Sequence, residues 1–418
     1  MKPVRDTYIA AVYLTPFLGK GHPDFIWKGH PDFGQRENPD LEGFLSQAVQ
    51  GLFAQGFDPK LVTRGYVGNF AGELFNQQGH LGALVSRAVP ELAGVGIGRT
   101  EAACASGGIA LMSAAEAVSA GHDVVLVAGA ECQTTVRPRE GAEYLARAAH
   151  FAEERAIDEF TFPAMFARRA KAYHEAHGMA YSDLAYFTQK AMENARKNPL
   201  AHMVANNWTL EKAAEGGDHN PHFLANEEFK HALKVSDCSQ VTDGGAALLL
   251  TSAEGLKALG LTPSQAVKLR SYHLSTNPLG RTADLLKMES AAQAFERSFA
   301  DAGITVDDLG VAEVHDCFTI AELLMMEAMG VEKPGRGVEA VKSGKTTLTG
   351  SLPVNTGGGL VGFGHPVGAT GVKQAVEIFR QMKGQCGDYQ LASAPSLGAM
   401  SNMGGDDRTC LVAVFENQ

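Results

Sequence analysis

Apolar and polar positions along the chain change rhythm several times, and each rhythm predicts an element. TYIAAVYLT near the N-terminus reads as a first strand. DVVLVAGAE (123–131) is an unbroken apolar run of strand length, the pattern of a strand covered on both faces. Just before it, CASGGIALMSAAEAVSAG predicts a helix made almost wholly of small residues, apolar on every side and therefore buried. From 136 to 235 the chain becomes richer in charge and aromatics, with helical stretches such as FPAMFARRAKAYHEAHG and YSDLAYFTQKAMENARKNP. After VTDGGAALLLTS the earlier style returns: LGVAEVHDCF as strand into helix, TGGGLVGFGHPVGATGVKQAVEIF as glycine loop into helix, and TCLVAVFE as a last strand. In each half a Gly-rich loop delivers a reactive residue, Cys104 or His365, to the start of a helix. An α/β protein of two similar halves follows. The segment KGHPDF occurs twice, at 20–25 and 28–33, and its Pro and Gly predict a surface loop.

Composition sets the outer limits. The 418 residues are 45% hydrophobic, enough for a large core in two or three domains. A formal net charge of -11 excludes a nucleic-acid backbone as partner. The basic cluster Arg168, Arg169, Lys171, Lys190, Arg196 and Lys197 still leaves room for a small anionic ligand. The six cysteines, at 104, 132, 238, 317, 386 and 410, form no C-x-x-C pair and read as free thiols of a reducing compartment. Arg5 and Asp6 stand where a signal peptide needs apolar residues, FENQ carries no address, and no apolar run reaches the roughly 20 residues of a spanning helix. These features predict a cytoplasmic protein without membrane insertion.

Three motifs fail on inspection. SGKTT at 343–347 lacks the glycine of a phosphate loop, since Glu339 occupies that place. Gly357, Gly359 and Gly362 match a dinucleotide fingerprint without its strand-before, acid-after context. Zinc needs three or four ligands, and no C-x-x-C or H-x-x-x-H completes a set, so no metal site is predicted. Cys104 is better placed. At the start of a buried helix, free N–H groups and the positive dipole end stabilise a thiolate and can hold a developing oxyanion. His365, between glycine and proline, could take a proton from a thiol. His315, Asp316 and Cys317 lie where a strand becomes a helix. They raise three readings: a metal site, which lacks its further ligands; a papain-type protease, whose flanking pattern is absent; or acid/base helpers for Cys104, which spacing alone does not prove.

CAS at 104–106, HDCF at 315–318, GHP at 364–366 and SLG at 396–398 occur in that order, and DCSQVTDGGAALLL at 237–250 fits between them. Together they resemble the thiolase superfamily, specifically the sterol-carrier-protein-2-type thiolases, over nearly the whole chain. The resemblance implies an α/β thiolase fold: two similar βαβαβαββ halves forming a five-layered α-β-α-β-α core, with an inserted loop domain. The implied N-terminal half spans 1–135 and is completed by about 242–265. A CoA-binding loop domain spans 136–241, and the C-terminal half 266–418. Commoner thiolases have N-E-A-F at the HDCF position and a second cysteine in a C-terminal C-x-G, where this chain has Ser396-Leu397-Gly398. Cys317 would replace that missing thiol. By resemblance, Cys104 is the nucleophile, His365 its base and Cys317 the acid/base at the α-carbon. His315 and His365 would hold an enolate oxygen, and the N–H groups of Cys104 and Gly398 a tetrahedral oxyanion. Ser239 would touch the pantetheine arm, and Arg168, Arg169 and Lys171 the CoA phosphates. The implied reaction is reversible Claisen condensation of acyl-CoAs, or thiolysis of a 3-ketoacyl-CoA. CoA thioesters would be substrates, with no permanently bound cofactor. A homodimer or homotetramer is implied, and a small partner protein could complete the site. A decarboxylating condensing enzyme and a non-catalytic lipid-binding scaffold of the same fold are the alternatives. The KGHPDF loop has no counterpart in the family pattern.

Overall fold

The computed structural model describes residues 1–280 and 284–418. Nine strands among them form one sheet: β1 (Thr7–Leu14), β2 (Arg64–Gly68), β3 (Gly96–Thr100), β4 (Val124–Glu131), β5 (Gly244–Ser252), β6 (Val267–Thr276), β7 (Val311–Glu313), β8 (Leu397–Gly404) and β9 (Thr409–Asn417). Their spatial order is β3-β2-β4-β5-β1-β6-β9-β8-β7. Read outward from the β1/β6 seam, the two sides run alike: β1-β5-β4-β2-β3 against β6-β9-β8-β7. The seam itself is thin, with only Tyr8 opposite Lys268 and Ile9 opposite Val267. Among the described residues the second half shows no full counterpart of edge strand β3, and a parallel bridge from Ala312 to Val354 stands in its place.

Seven helices matter here: α1 (Leu41–Phe53), α2 (Ser106–Ser119), α3 (Thr161–His177), α4 (Ala185–Ala195), α5 (Glu289–Ala302), α6 (Thr319–Ala328) and α7 (Thr370–Met382). The period-2 alternation of strand side chains assigns them to layers. Val125 and Val127 of β4, Leu248 and Leu250 of β5, and Leu411, Ala413 and Phe415 of β9 share one core with Leu111 of α2 and Val372, Val376 and Phe379 of α7. The intervening Leu126, Ala128 and Leu249 pack on Phe44, Val49 and Leu52 of α1. On the far side, Val412 and Val414 meet Phe295 of α5 and Leu323 of α6. The result is the five-layered order α-β-α-β-α, with α2 and α7 in the middle.

The small residues predicted for the buried helix have a specific use. A Cβ on Gly107 would sit 2.9 Å from the backbone nitrogen of Gly371, and one on Gly371 would sit 2.2 Å from that of Gly108. The N-terminal turns of α2 and α7 therefore touch backbone to backbone, which no larger side chain permits. This contact brings the residues just ahead of both helices to one point.

Between β4 and β5 the chain runs through α3 and α4. Phe166 of α3 stacks on Phe318, just ahead of α6, with centroids 4.5 Å apart, and Lys190 of α4 forms a buried ion pair with Glu322 of α6. The two KGHPDF copies form the same turn. In each, the aspartate N–H donates to the histidine Nδ1 at 3.0 Å, and the phenylalanine N–H donates to the histidine carbonyl. Phe25 of the first copy is buried, while Phe33 of the second is exposed. No helix among the described residues is long and apolar enough to cross a membrane.

Candidate active site

Cys104 sits on a tight elbow between β3 and α2. Ala103 adopts φ +50°, a left-handed conformation that costs a non-glycine residue roughly 1–2 kcal/mol. The elbow is held by its own side chains. Glu101 accepts from the Ala103 N–H at 2.6 Å, and Ser106 Oγ accepts from the Ala102 N–H and donates to the Ala103 carbonyl. Cys104 is half-buried. Burial pushes its thiol up to about 12, and the N–H groups of Gly405 and of Cys104 itself, facing the sulfur, pull the other way.

His365 occupies the matching place ahead of α7. Its Nδ1 lies 2.7 Å from Thr370 Oγ1, and that hydroxyl donates to the Pro366 carbonyl at 3.0 Å. With its one proton on the carbonyl, the hydroxyl accepts from Nδ1–H, which leaves His365 Nε2 bare. Burial lowers the imidazole to about 3, so the ring is a neutral acceptor at physiological pH. The turn behind it is fixed by Glu131 at the end of β4, which accepts from the backbone N–H of Gly368, Phe70 and Ala71 and from Asn69 Nδ2. Burial lifts this carboxyl to about 7 against those donors.

His315 and Cys317 follow β7 and alternate with Asp316, as extended chain requires. Asp316 points away and accepts from the Leu360 and Val361 N–H groups at 2.7 and 3.4 Å, anchoring the Gly357–Gly362 turn that resembled a dinucleotide fingerprint. The His315 ring stands edge-on to that of His365, centroids 5.1 Å apart. Burial, with His365 beside it, lowers His315 well below the usual imidazole range. Cys104 Sγ and one ring nitrogen each of His315 and His365 lie within 4.8 Å of one another. Cys317 is buried beside this trio. Its thiol is raised first by burial and next by Cys104. The Cys317 carbonyl accepts from the N–H of half-buried Ser239 at 2.9 Å, so Ser239 borders the same site.

Two expectations need correction. Gly398 does not reach Cys104. It lies inside β8, paired with Val311 and Phe415, and a Cβ there would be 3.0 Å from Ile378 and Val311. The glycine that faces Cys104 is Gly405, seven residues on and on the order of 20 Å further along an extended strand. Arg169 is not available to a phosphate. It is fully buried, donates to Asp406 Oδ1 at 2.5 Å and to the carbonyls of Asp284, Leu285 and Lys287, and so braces the chain next to Gly405. Lys171 pairs with Glu175 at 2.7 Å and lies 3.9 Å from Glu228. Arg168 is partly exposed, 3.9 Å from Asp406. Asn402 has no motif to advertise it, yet its Nδ2 donates to the Cys104 carbonyl at 3.1 Å and lies 3.3 Å from His315 Nδ1.

Comparison with known proteins agrees with this architecture. A family model described as thiolase C-terminal domain-like matches residues 271–417. The acetyl-CoA acetyltransferase of Methanothermobacter thermautotrophicus is 34% identical over 351 residues, 84% of this chain and 87% of its own length. Sterol carrier protein 2 of Homo sapiens is 29% identical over 237 residues, 56% of this chain and 41% of its own. The solved Ltp2-ChsH2(DUF35) aldolase matches with a TM-score of 0.78, covering 100% of this chain and 99% of the matched one; at 19% identity it speaks for the fold alone. A five-layered α/β core with a cysteine and a histidine at the mouths of twin helices, and a second histidine beside them, defines a class of fold and site. Within that class, the chain belongs to the thiolase superfamily.

Proposed function

We propose that the protein is a CoA-dependent acyltransferase of the thiolase type, acting through an acyl-enzyme on Cys104. The observation that carries this reading is the meeting of Cys104 Sγ with one ring nitrogen each of His365 and His315 within 4.8 Å, with the Cys317 thiol close enough to be raised by Cys104. The name of the Methanothermobacter thermautotrophicus relative supports it.

In the thiolysis direction, His365 Nε2 takes the Cys104 proton, and the sulfur attacks the 3-keto carbon of a 3-ketoacyl-CoA. The resulting oxyanion is held by the N–H groups of Cys104 and Gly405. Removing one such donor typically costs on the order of 10²–10³ in rate. Collapse breaks the Cα–Cβ bond and expels an enolate, whose oxygen is received by His315 and the now protonated His365. Cys317, neutral because it is buried, gives its proton to the α-carbon. CoA thiol then returns a proton to Cys317 and attacks the acyl-enzyme, and His365 restores the proton to Cys104. Condensation is the reverse. Two half-reactions through one covalent intermediate give ping-pong kinetics.

The segment 136–241 is proposed as the CoA-binding loop domain, with Ser239 beside the pantetheine arm and Arg168 and Lys171 as the remaining basic candidates for a phosphate. A homodimer or homotetramer is proposed, and so is a small partner protein. The partner reading is supported by the DUF35 component named with the aldolase of similar fold.

Cys317 separates this reading from a decarboxylating condensing enzyme, which makes its carbanion by loss of CO₂ and needs no base at the α-carbon. Exchange of the α-protons of acetyl-CoA with D₂O is expected in the native protein and is expected to vanish in Cys317→Ala. Exchange that persists unchanged would defeat the assignment.

A further inference from the structure

The meeting of one thiol and two imidazole nitrogens within 4.8 Å is also a ligand set attractive to Zn²⁺ or a similar soft divalent cation. Such an ion needs a bare lone pair from each ring. His365 has one on Nε2. For His315 the answer lies in Asn402.

The Gly108 backbone N–H, which can only donate, bonds to Asn402 Oδ1 at 2.9 Å. That bond fixes which end of the amide is which. Nδ2 therefore faces the Cys104 carbonyl at 3.1 Å and His315 Nδ1 at 3.3 Å. An NH₂ group cannot accept, so His315 Nδ1 must be the acceptor, and the ring proton resides on Nε2. Nε2 is buried and has no partner among the described residues.

We propose that Asn402 is a positioning residue that holds His315 as its Nε2–H tautomer. One consequence is a buried N–H with no partner among the described residues, ready for a substrate oxygen; this part rests on the thiolase reading above. The other is independent of it. With one nitrogen protonated and the other engaged by Asn402, His315 offers the trio no free lone pair. The site that could otherwise trap a metal ion is kept open for chemistry.

The test is ¹⁵N NMR of the full chain with labelled histidine, paired with Zn²⁺ titration by calorimetry. The native protein is expected to show His315 protonated on Nε2. Asn402→Ala removes the donor and frees the ring lone pair it engages, so the variant is expected to bind one Zn²⁺ at least roughly tenfold more tightly than the native protein, a change of the size, though of opposite sign, that loss of an orienting partner causes at a ligating histidine. A native His315 protonated on Nδ1 would overturn the proposal, as would equal Zn²⁺ affinity in the two proteins. If Asn402→Ala fails to fold, the native spectrum alone decides. Because neither readout involves acyl transfer, loss of the thiolase assignment would leave this result standing or falling by itself.

Discussion

The two halves of the molecule use one device to deliver two different groups. In the first, a short loop after β3 presents Cys104 ahead of α2; in the second, a glycine loop presents His365 ahead of α7. The support differs with the cargo. The cysteine elbow is braced mainly by its own neighbours, Glu101 and Ser106, with Asn402 of the other half bonding only the Cys104 carbonyl, and carries local strain at Ala103. The histidine turn is braced from the other half, by Glu131 bonding to the Gly368 N–H. A duplicated scaffold thus need not duplicate its chemistry. The Gly107–Gly371 contact guarantees convergence, and each loop is free to change what converges.

The comparison breaks first at the cargo itself. Cys104→Ala should reduce CoA-dependent turnover by about 10⁴-fold or more, as removal of a covalent nucleophile does, with folding unchanged by circular dichroism. Next comes the choice between two glycines. Gly405→Ala places a Cβ at φ +66° and 2.8 Å from the Ala148 carbonyl, which should shift the donor N–H and lower kcat by on the order of 10². Gly398→Ala should leave kcat close to native and cost about 1–3 kcal/mol of stability through crowding in β8. Equal kcat losses in the two variants would return the oxyanion role to an open question.

How much of this could be read in the sequence depends on what distinguishes loop from strand. The two loop-to-helix junctions were legible because glycines and a run of small residues mark a buried helix start. The strand read at 123–131 falls at Val124–Glu131. Ser396-Leu397-Gly398, which stands by resemblance at the C-x-G position, leads instead into β8, which runs from Leu397 to Gly404 and displaces the turn to Gly405. The basic cluster lost Arg169 for a geometric reason. Arg168 and Lys171 lie three apart and share a face of α3, whereas Arg169 is about 100° round the helix and turns into the interior. Asn402 was invisible because a buried asparagine in a strand has no periodic or spacing signal.

Smaller effects sharpen the same contrast. Arg169→Met strands the buried Asp406 carboxylate and should cost about 3–5 kcal/mol in chemical denaturation. Lys171→Met breaks only a surface pair and should leave the denaturation midpoint close to native. If the two costs were alike, Arg169 would not be the interior brace described above.

The smallest expected change is in pH dependence. Burial holds His365 at about 3, below the unfolded value of about 6.5. The native state binds fewer protons, so this contribution to stability is complete above about 6.5 and is lost as pH falls towards 3. Activity should therefore show no acid limb near 6.5 in kcat/KM, and a histidine-like limb there would mean that the ring is hydrated and protonated in the native site.

The most direct test is mass spectrometry of the intact protein after exposure to a panel of acyl-CoAs, followed by mapping of the adduct. The account predicts a mass gain of one acyl group, carried by the peptide containing Cys104 and absent in Cys104→Ala. An adduct on Cys317, or none with any acyl-CoA, would contradict it.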